Sequence, residues 1–233
     1  MLNKYSTTYE VLERKPDIAI VPIGSLEQHG PHLPISTDTL IVERVSEELA
    51  ERLNAFLMPC LPYSSSIEHK GFAGTVWLSP ETLALVIKDI VKSLLSQGFE
   101  IVVLVNGHGG NFVLKVVTRS INLESNKVRV ILVNVAEIMA KLAEGDLHAG
   151  DVETSLMLYL YPNLVRKTSP KDFVPKLSRE FIDYLGFKGL CKNGIWGWPS
   201  RGSRERGEQY FRTIVDSALK HIYQVLECIQ RSQ

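Results

Sequence analysis

Two stretches of this chain, IVVLVNG (101–107) and VRVILVNV (128–135), are apolar at nearly every position instead of at every second one. An alternating strand has one wet face. A continuous one is covered on both faces, as in a parallel sheet held between two layers of helix. Two further runs, DIAIVPIG (17–24) and AFLMPCLP (55–62), read as strands of the same sheet. The segments around them carry helical spacing. Residues 38–53 put Leu40, Ile41, Val45, Leu49 and Leu53 on one face, and residues 80–97 do so with Leu83, Ile87, Ile90, Val91 and Leu94. Ser79 is placed to cap the second of these, Pro80 suits its first turn and Gly98 its exit. Residues 111–124 and 151–160 are shorter helix candidates. Residues 205–229 form a long amphipathic one with Phe211, Ile214, Val215, Ala218, Ile222, Val225 and Leu226 inward. This alternation predicts an α/β fold, a three-layer α/β/α sandwich with a mainly parallel central sheet, in a single domain over 1–233. Only 162–204, with GIWGWPSRGSRERG near its end, breaks the rhythm; a functional loop or an oligomer interface is expected there. Trp196 and Trp198 are expected to anchor a neighbouring subunit, to wall a pocket, or to fill the chain's own core.

Charge narrows the partners. Lys plus Arg number 26 and Asp plus Glu number 26, so no net field favours nucleic acid or an anionic membrane. No apolar run approaches the ~20 residues of a membrane span. The opening MLNKYSTTYEVLERKPD is polar and mixed in charge, unlike a signal peptide. Cys60, Cys191 and Cys228 are scattered, with neither metal nor disulfide spacing, so a cytoplasmic location is expected.

Three polar clusters fall after predicted strands. The first, GSLEQHGPHLPISTDTLI (24–41), gathers Glu27, His29, His32 and Asp38. Glu27 and His29 are two apart, so in extended chain both point the same way. The second is NGHGGN (106–111) and the third DLHAGDVETS (146–155). Each has a bland reading. Thr37 or Asp38 could cap the following helix, NGHGGN could be a tight turn or an anion cradle, and His148 and Glu153 could face solvent. Taken together they differ, because an open parallel sheet brings the carboxyl ends of its strands to one crevice. Imidazole and carboxylate gathered there are ligand chemistry for zinc, manganese or iron(II). A carboxylate shared by two ions suits hydrolysis by metal-activated water. Gly107, Gly109 and Gly110 are expected to allow close backbone approach around His108, with positive φ.

GSLEQHGPHLPISTDT, NGHGGN and HAGDVETS resemble, in order and spacing, the three signature segments of the creatininase (creatinine amidohydrolase) family. The resemblance runs from about residue 17 to about residue 215. It implies a creatininase-like α/β fold, a homo-oligomer that is commonly a hexamer, and two divalent metals per subunit acting on a non-peptide C–N bond of a small-molecule amide. It implies that Glu27, Asp38 and His108 hold one metal and that His29 and Asp38 hold the second, with Asp38 bridging. His148 matches the family's catalytic histidine and Glu153 the glutamate that follows it. The sequence departs from creatininase proper in three places. Gly110 stands where a glutamate serves the second metal, no tryptophan lies between Trp77 and Trp196, and GWP with Trp198 replaces GDP. The GHGGN form is more similar to the branch of deformylases acting on a formylamino-pyrimidine ribosyl phosphate. Creatinine hydrolysis and trimming of a mycofactocin-type precursor peptide are the alternatives. His148 is then expected to be a proton donor and not a ligand, and Glu153 to complete the second metal site, orient His148 or accept the water's proton. A non-catalytic phosphate- or nucleotide-binding protein is the reading from another class; it leaves Glu27, His29, Asp38 and His148 without a role.

Overall fold

In the computed structural model, which describes residues 1–125 and 127–231, five strands form one sheet. They are β1 (Leu2–Asn3), β2 (Ile18–Ile23), β3 (Phe56–Leu57), β4 (Ile101–Asn106) and β5 (Val130–Asn134). Their order is β1-β3-β2-β4-β5, and every pairing is parallel. The helices are α1 (Thr8–Arg14), α2 (Thr37–Arg52), α3 (Pro80–Ser96), α4 (Val113–Glu124), α5 (Val135–Met139), α6 (Asp151–Leu160), α7 (Ile182–Leu190) and α8 (Arg204–Arg231). Successive residues of the central strands serve opposite layers, which is why their runs do not alternate in polarity. Ile20, Val103, Val105, Ile131 and Val133 pack under α2, α6 and α8, while Ala19, Val21, Val102, Leu104 and Val130 pack under α3 and α4. The three-layer sandwich is therefore as the pattern implied.

The AFLMPCLP run is a strand only at Phe56–Leu57. Pro59 and Pro62 have no N–H to give to a ladder; beyond the strand the segment meets β2 through the Met58 amide, which donates to the Ile20 carbonyl at 2.9 Å, and the Leu61 amide, which donates to the Pro22 carbonyl at 2.9 Å. The stretch 162–204 is not irregular throughout. It holds α7, whose helical spacing is masked in sequence by Gly186, a kink with φ 63°. Trp196 is only 6% exposed and packs with Phe187 and Cys191 of its own chain. Trp198 is half-buried, with the Arg201 guanidinium 4.4 Å from its ring centre. Of the roles expected for these tryptophans, the chain's own core is where Trp196 lies. No helix among the described residues is long and apolar enough to cross a membrane.

Two contacts fix the ends of the helices that carry the polar clusters. Gly207 of α8 lies where a Cβ would meet the Ser155 carbonyl oxygen at 1.9 Å, so α8 crosses α6 backbone to backbone. Asp151, in the first turn of α6, is paired there with Arg206 and accepts a hydrogen bond from the Ser155 hydroxyl at 3.0 Å. On the other helix, neither Thr37 nor Asp38 caps α2. Ser36 is the N-cap without a side-chain bond, and the Thr37 hydroxyl donates to the Pro34 carbonyl at 2.6 Å. Asp38 is left to point into the crevice.

Candidate metal centre

The ends of β2 and β4 both meet the first turn of α2. A Cβ on Gly24 would lie 2.5 Å from the Thr39 Cα, and one on Gly107 would lie 2.9 Å from the Val42 Cβ and 3.0 Å from the Asp38 carbonyl oxygen. These two glycines let the helix settle onto the strand ends, which brings Asp38 beside Glu27 and His108. The close approach expected around His108 is present at Gly107 and Gly110. The expected positive φ is absent at Gly107, Gly109 and Gly110, and Gly109 faces open space. Crowding by neighbours, not left-handed backbone, accounts for the first and last of these glycines.

Glu27, His29, Asp38, His108 and Glu153 converge in a nearly closed crevice, with Glu27 and His29 at 0% exposure. Their donor atoms form two sets, Glu27–Asp38–His108 and His29–Asp38–Glu153, with every atom of a set within 4.8 Å of the others. Asp38 belongs to both. A third set joins Glu27, His29 and His148. His32 stays apart and meets the Thr154 hydroxyl at 2.9 Å.

Hydrogen-bond chemistry decides which nitrogen of each ring looks inward. His29 Nδ1 lies 3.0 Å from the Glu27 carbonyl oxygen, which can only accept, so Nδ1 carries the proton. Nε2 then faces Asp38 Oδ1 at 3.2 Å and Glu153 Oε2 at 3.7 Å. His108 is built the other way round. Its Nε2 lies 3.1 Å from the Ser65 carbonyl oxygen and 2.9 Å from Glu68 Oε1. Its Nδ1 faces Glu27 Oε2 at 3.1 Å and Asp38 Oδ2 at 3.2 Å. In each ring a lone pair therefore confronts two carboxylate oxygens. Buried Glu27 Oε1 and Asp38 Oδ2 accept no hydrogen bond of good geometry. Lone pairs facing carboxylates, with orphaned acceptors between them, need a cation, and this donor set suits a divalent metal.

Around these groups lie residues that sequence reading did not single out. His69 Nε2 is 3.2 Å from Glu27 Oε1. The Gln28 amide nitrogen donates to His69 Nδ1 at 3.1 Å, while its oxygen accepts from the Gly30 amide at 3.0 Å. Phe187 stacks on His69 with centroids 4.6 Å apart and meets His148 edge-on at 4.7 Å, closing that side to water. Phe187 was hidden because its helix was. His69 and Glu68 carried a signal: SIEHKG is a fourth imidazole and carboxylate pair just beyond a strand, β3. His148 Nε2 lies 2.7 Å from the Gln28 carbonyl oxygen, which leaves Nδ1 turned toward Glu27 Oε1 at 3.8 Å. Glu153 Oε2 accepts the Ala149 amide at 2.5 Å, so the loop bearing His148 folds back onto Glu153.

With only protons to fill the crevice, the charges are shared unevenly. Burial pushes the Glu27 carboxyl up to about 7, against the pull of His108. Burial opposes charge on His29 and His108 too. Asp38 and Glu153 outweigh it at His29, Glu27 and Asp38 outweigh it at His108, and both rings sit well above the ordinary histidine value. Burial would raise Asp38, yet His29 and His108 hold it below the usual carboxylate range. Burial, then the charge on His29, lowers His148 to about 4. Burial, then His148, puts His69 well below the ordinary value.

These shifts predict how the metal-free protein responds to pH. The raised His29 and His108 contribute stability that is complete below the unfolded value of ~6.5 and is lost as pH rises through their folded values. Glu27, also raised, loses stability in the same direction through about pH 7. The lowered His148 and His69 act only below ~6.5 and leave the upper window clear. Metal needs both rings neutral, so it should bind more tightly as pH rises and should release protons. Thermal melts of chelator-treated protein should therefore fall from about pH 6.5 upward, with Zn²⁺ restoring the loss. A flat profile without metal would contradict this charge assignment.

A parallel-sheet α/β sandwich with histidines and carboxylates converging beyond the strand ends is a metallohydrolase-like architecture. The family model described as creatininase, creatinine amidohydrolase, matches residues 4–222, and the chain belongs to that family. A mycofactocin precursor peptide peptidase of Mycobacterium ulcerans is 31% identical over 93% of this chain and 88% of its own length. The creatinine amidohydrolase of Pseudomonas putida is 34% identical over 64% of this chain and 66% of its own. A 2-amino-5-formylamino-6-ribosylaminopyrimidin-4(3H)-one 5'-monophosphate deformylase of Methanobrevibacter ruminantium is 33% identical over 60% of this chain and 57% of its own. The crystal structure of a creatinine amidohydrolase superposes with TM-score 0.80 at 27% identity, covering 96% of this chain and 97% of that one. A Zn-Zn form of a creatininase variant and a Mn form of creatininase superpose at 0.76 and 0.78; each is 27% or 26% identical and covers 96% or 97% of both chains.

Proposed function

We propose that this chain is a metal-dependent amidohydrolase that cleaves the C–N bond of a small-molecule amide with two divalent ions per subunit. The observation that carries this is the pair of buried rings, His29 and His108, each fixed at one nitrogen and aiming the other at two carboxylates. Glu27, Asp38 and His108 would hold one ion, and His29, Asp38 and Glu153 would hold the other. Such ions supply a water whose pKa is lowered toward ~7 and positive charge for the developing oxyanion. The protein supplies the proton path. His148, with Nε2 on the Gln28 carbonyl, presents Nδ1 to the crevice, where it takes a proton and hands it to the leaving nitrogen. Phe187 shields this exchange from bulk water.

A formamide such as the formylamino-pyrimidine of the deformylase relatives is the favoured substrate class, in keeping with the GHGGN segment. A peptide amide is the second reading, supported by mycofactocin-peptidase relatives that match over nearly the whole chain. The anion-cradle reading fares worse, because the turn's amides are partly spent. Gly107 donates to Ile23, His108 to the Asn106 side chain and Asn111 to His108. Screening formamides, cyclic amides and short peptides for amine release, with and without chelator, tests the proposal. Chelator-sensitive release from one class is expected, and metal-loaded protein inert toward all of them would overturn it. The family's assembly as a homohexamer is proposed here as well, supported by exposed Phe173, Leu177, Phe181, Tyr184 and Leu185. Light scattering that reports a monomer would contradict it. Three cysteines scattered along the chain, with neither metal nor disulfide spacing, support a reducing, cytoplasmic setting, and recovery of disulfide-linked protein from cells would argue against it.

A further inference from the structure

Glu68 has no part in the reaction described above, yet it touches the metal centre. It stands in a short 3-10 turn, Ile67–His69, beyond β3, and its side chain is 19% exposed. Its Oε1 lies 2.9 Å from His108 Nε2, the nitrogen that faces away from Glu27 and Asp38. The Asn111 side chain accepts the Ser65 amide at 3.0 Å, so the turn is tied to the NGHGGN segment and held against His108. Gly110 completes the arrangement. A Cβ there would lie 2.0 Å from Glu68 Oε1, 2.5 Å from His108 Nε2 and 2.7 Å from the Ser65 carbonyl oxygen. The space above the ring is thus filled by a carboxylate from another loop, and any side chain at 110 would expel it.

We propose that Glu68 is a positioning residue of the metal centre: it accepts the Nε2–H of His108 and thereby strengthens Nδ1 as a metal ligand, and Gly110 is bare so that this carboxylate can reach. The inference rests on the metal-centre reading given above. The Ser65 carbonyl, 3.1 Å away, also accepts this proton and by itself fixes the tautomer. What the carboxylate adds is charge. A charge-assisted hydrogen bond polarises the imidazole, raises the donor strength of its other nitrogen and holds the ring plane in line with the ion.

The test is a chelator-competition titration of Zn²⁺ on the full chain, with Co²⁺ absorption as a second readout. Glu68→Ala should weaken binding by roughly 10–100-fold and shift the Co²⁺ bands, and Glu68→Gln, which keeps an acceptor oxygen without the charge, should fall between it and wild type. Gly110→Ala should reproduce the Glu68→Ala shift, with circular dichroism of the metal-free protein showing that both variants fold. In a His108→Ala background, Glu68→Ala should change nothing further, because Glu68 acts through that ring. Glu68→Ala that binds within about twofold of wild type, or that still weakens binding when His108 is gone, would overturn the inference and leave the metal centre standing. Wild-type protein that takes up no Zn²⁺ would overturn both.

Discussion

Asp38→Ala should leave the protein without metal at either half of the centre and without turnover, whereas His29→Ala should keep one ion. The reason lies in how Asp38 is shared. Its Oδ1 lies 3.2 Å from His29 Nε2 and its Oδ2 lies 3.2 Å from His108 Nδ1, so one carboxylate faces both ring lone pairs. Without it each set keeps one imidazole and one other carboxylate, too few to hold a small divalent ion firmly. Glu27 and Glu153 would also crowd a pocket that has lost its shared acceptor. His29→Ala removes a donor from one set only and leaves Glu27, Asp38 and His108 intact. Metal content by elemental analysis, beside far-UV circular dichroism to show that the variants fold, separates the cases. Asp38→Ala that retained a full complement of metal would show that Asp38 does not bridge.

His148→Ala should do the opposite, keeping its metal while losing turnover by roughly 10²–10⁴-fold, the usual worth of general acid–base catalysis. His148 lies close enough to Glu27 and His29 to form a third possible ligand set. Packing argues against its use as one. Its ring is wedged among His29, His69 and Phe187, with centroids 4.3, 4.6 and 4.7 Å away, and its Nδ1 stands 3.8 Å from the nearest Glu27 oxygen. A ring locked onto an ion cannot pass a proton, whereas this one is held at Nε2 and open at Nδ1. Burial, then the charge on His29, holds it below the ordinary histidine value, and in the proposed reaction it would take the water's proton before giving it to the leaving nitrogen. One group then serves as base and acid in turn, as a leaving amine requires. If His148→Ala purified with half or less of the wild-type metal, the ring would be a ligand and these roles would have to be exchanged.

Much of this molecule can be read along the chain. The unbroken apolar runs of β4 and β5 could only be strands covered on both faces, and the spacing of Leu83, Ile87, Val91 and Leu94 could only be one face of a helix. Those patterns come from the periods of backbone geometry, which neighbouring residues set among themselves. Glu27, His29, Asp38, His108, His148 and Glu153 stood out for a related reason: each follows a strand, and a parallel sheet sends its strand ends to one edge. What did not show is what neighbouring residues do not fix. β3 is two residues long because its prolines interrupt pairing with β2. α7 is concealed by Gly186, Thr37 and Asp38 do not cap α2, and Trp196 packs against Phe187 of its own chain.

The division is sharpest inside the metal centre. The sequence by itself determined the layer architecture and the list of ligand-type residues, because both follow from local periodicity and from chemistry placed at strand ends. Only the tertiary structure decided which nitrogen of each histidine faces inward, since that depends on the Glu27 and Ser65 carbonyls that meet the rings across the fold. It alone decided that Glu68, forty residues before His108 in the chain, occupies the space left by Gly110, and that His69 and Phe187 wall the crevice. Pairings of this kind are set by how loops from separate strands pack together, and no period in the sequence records them.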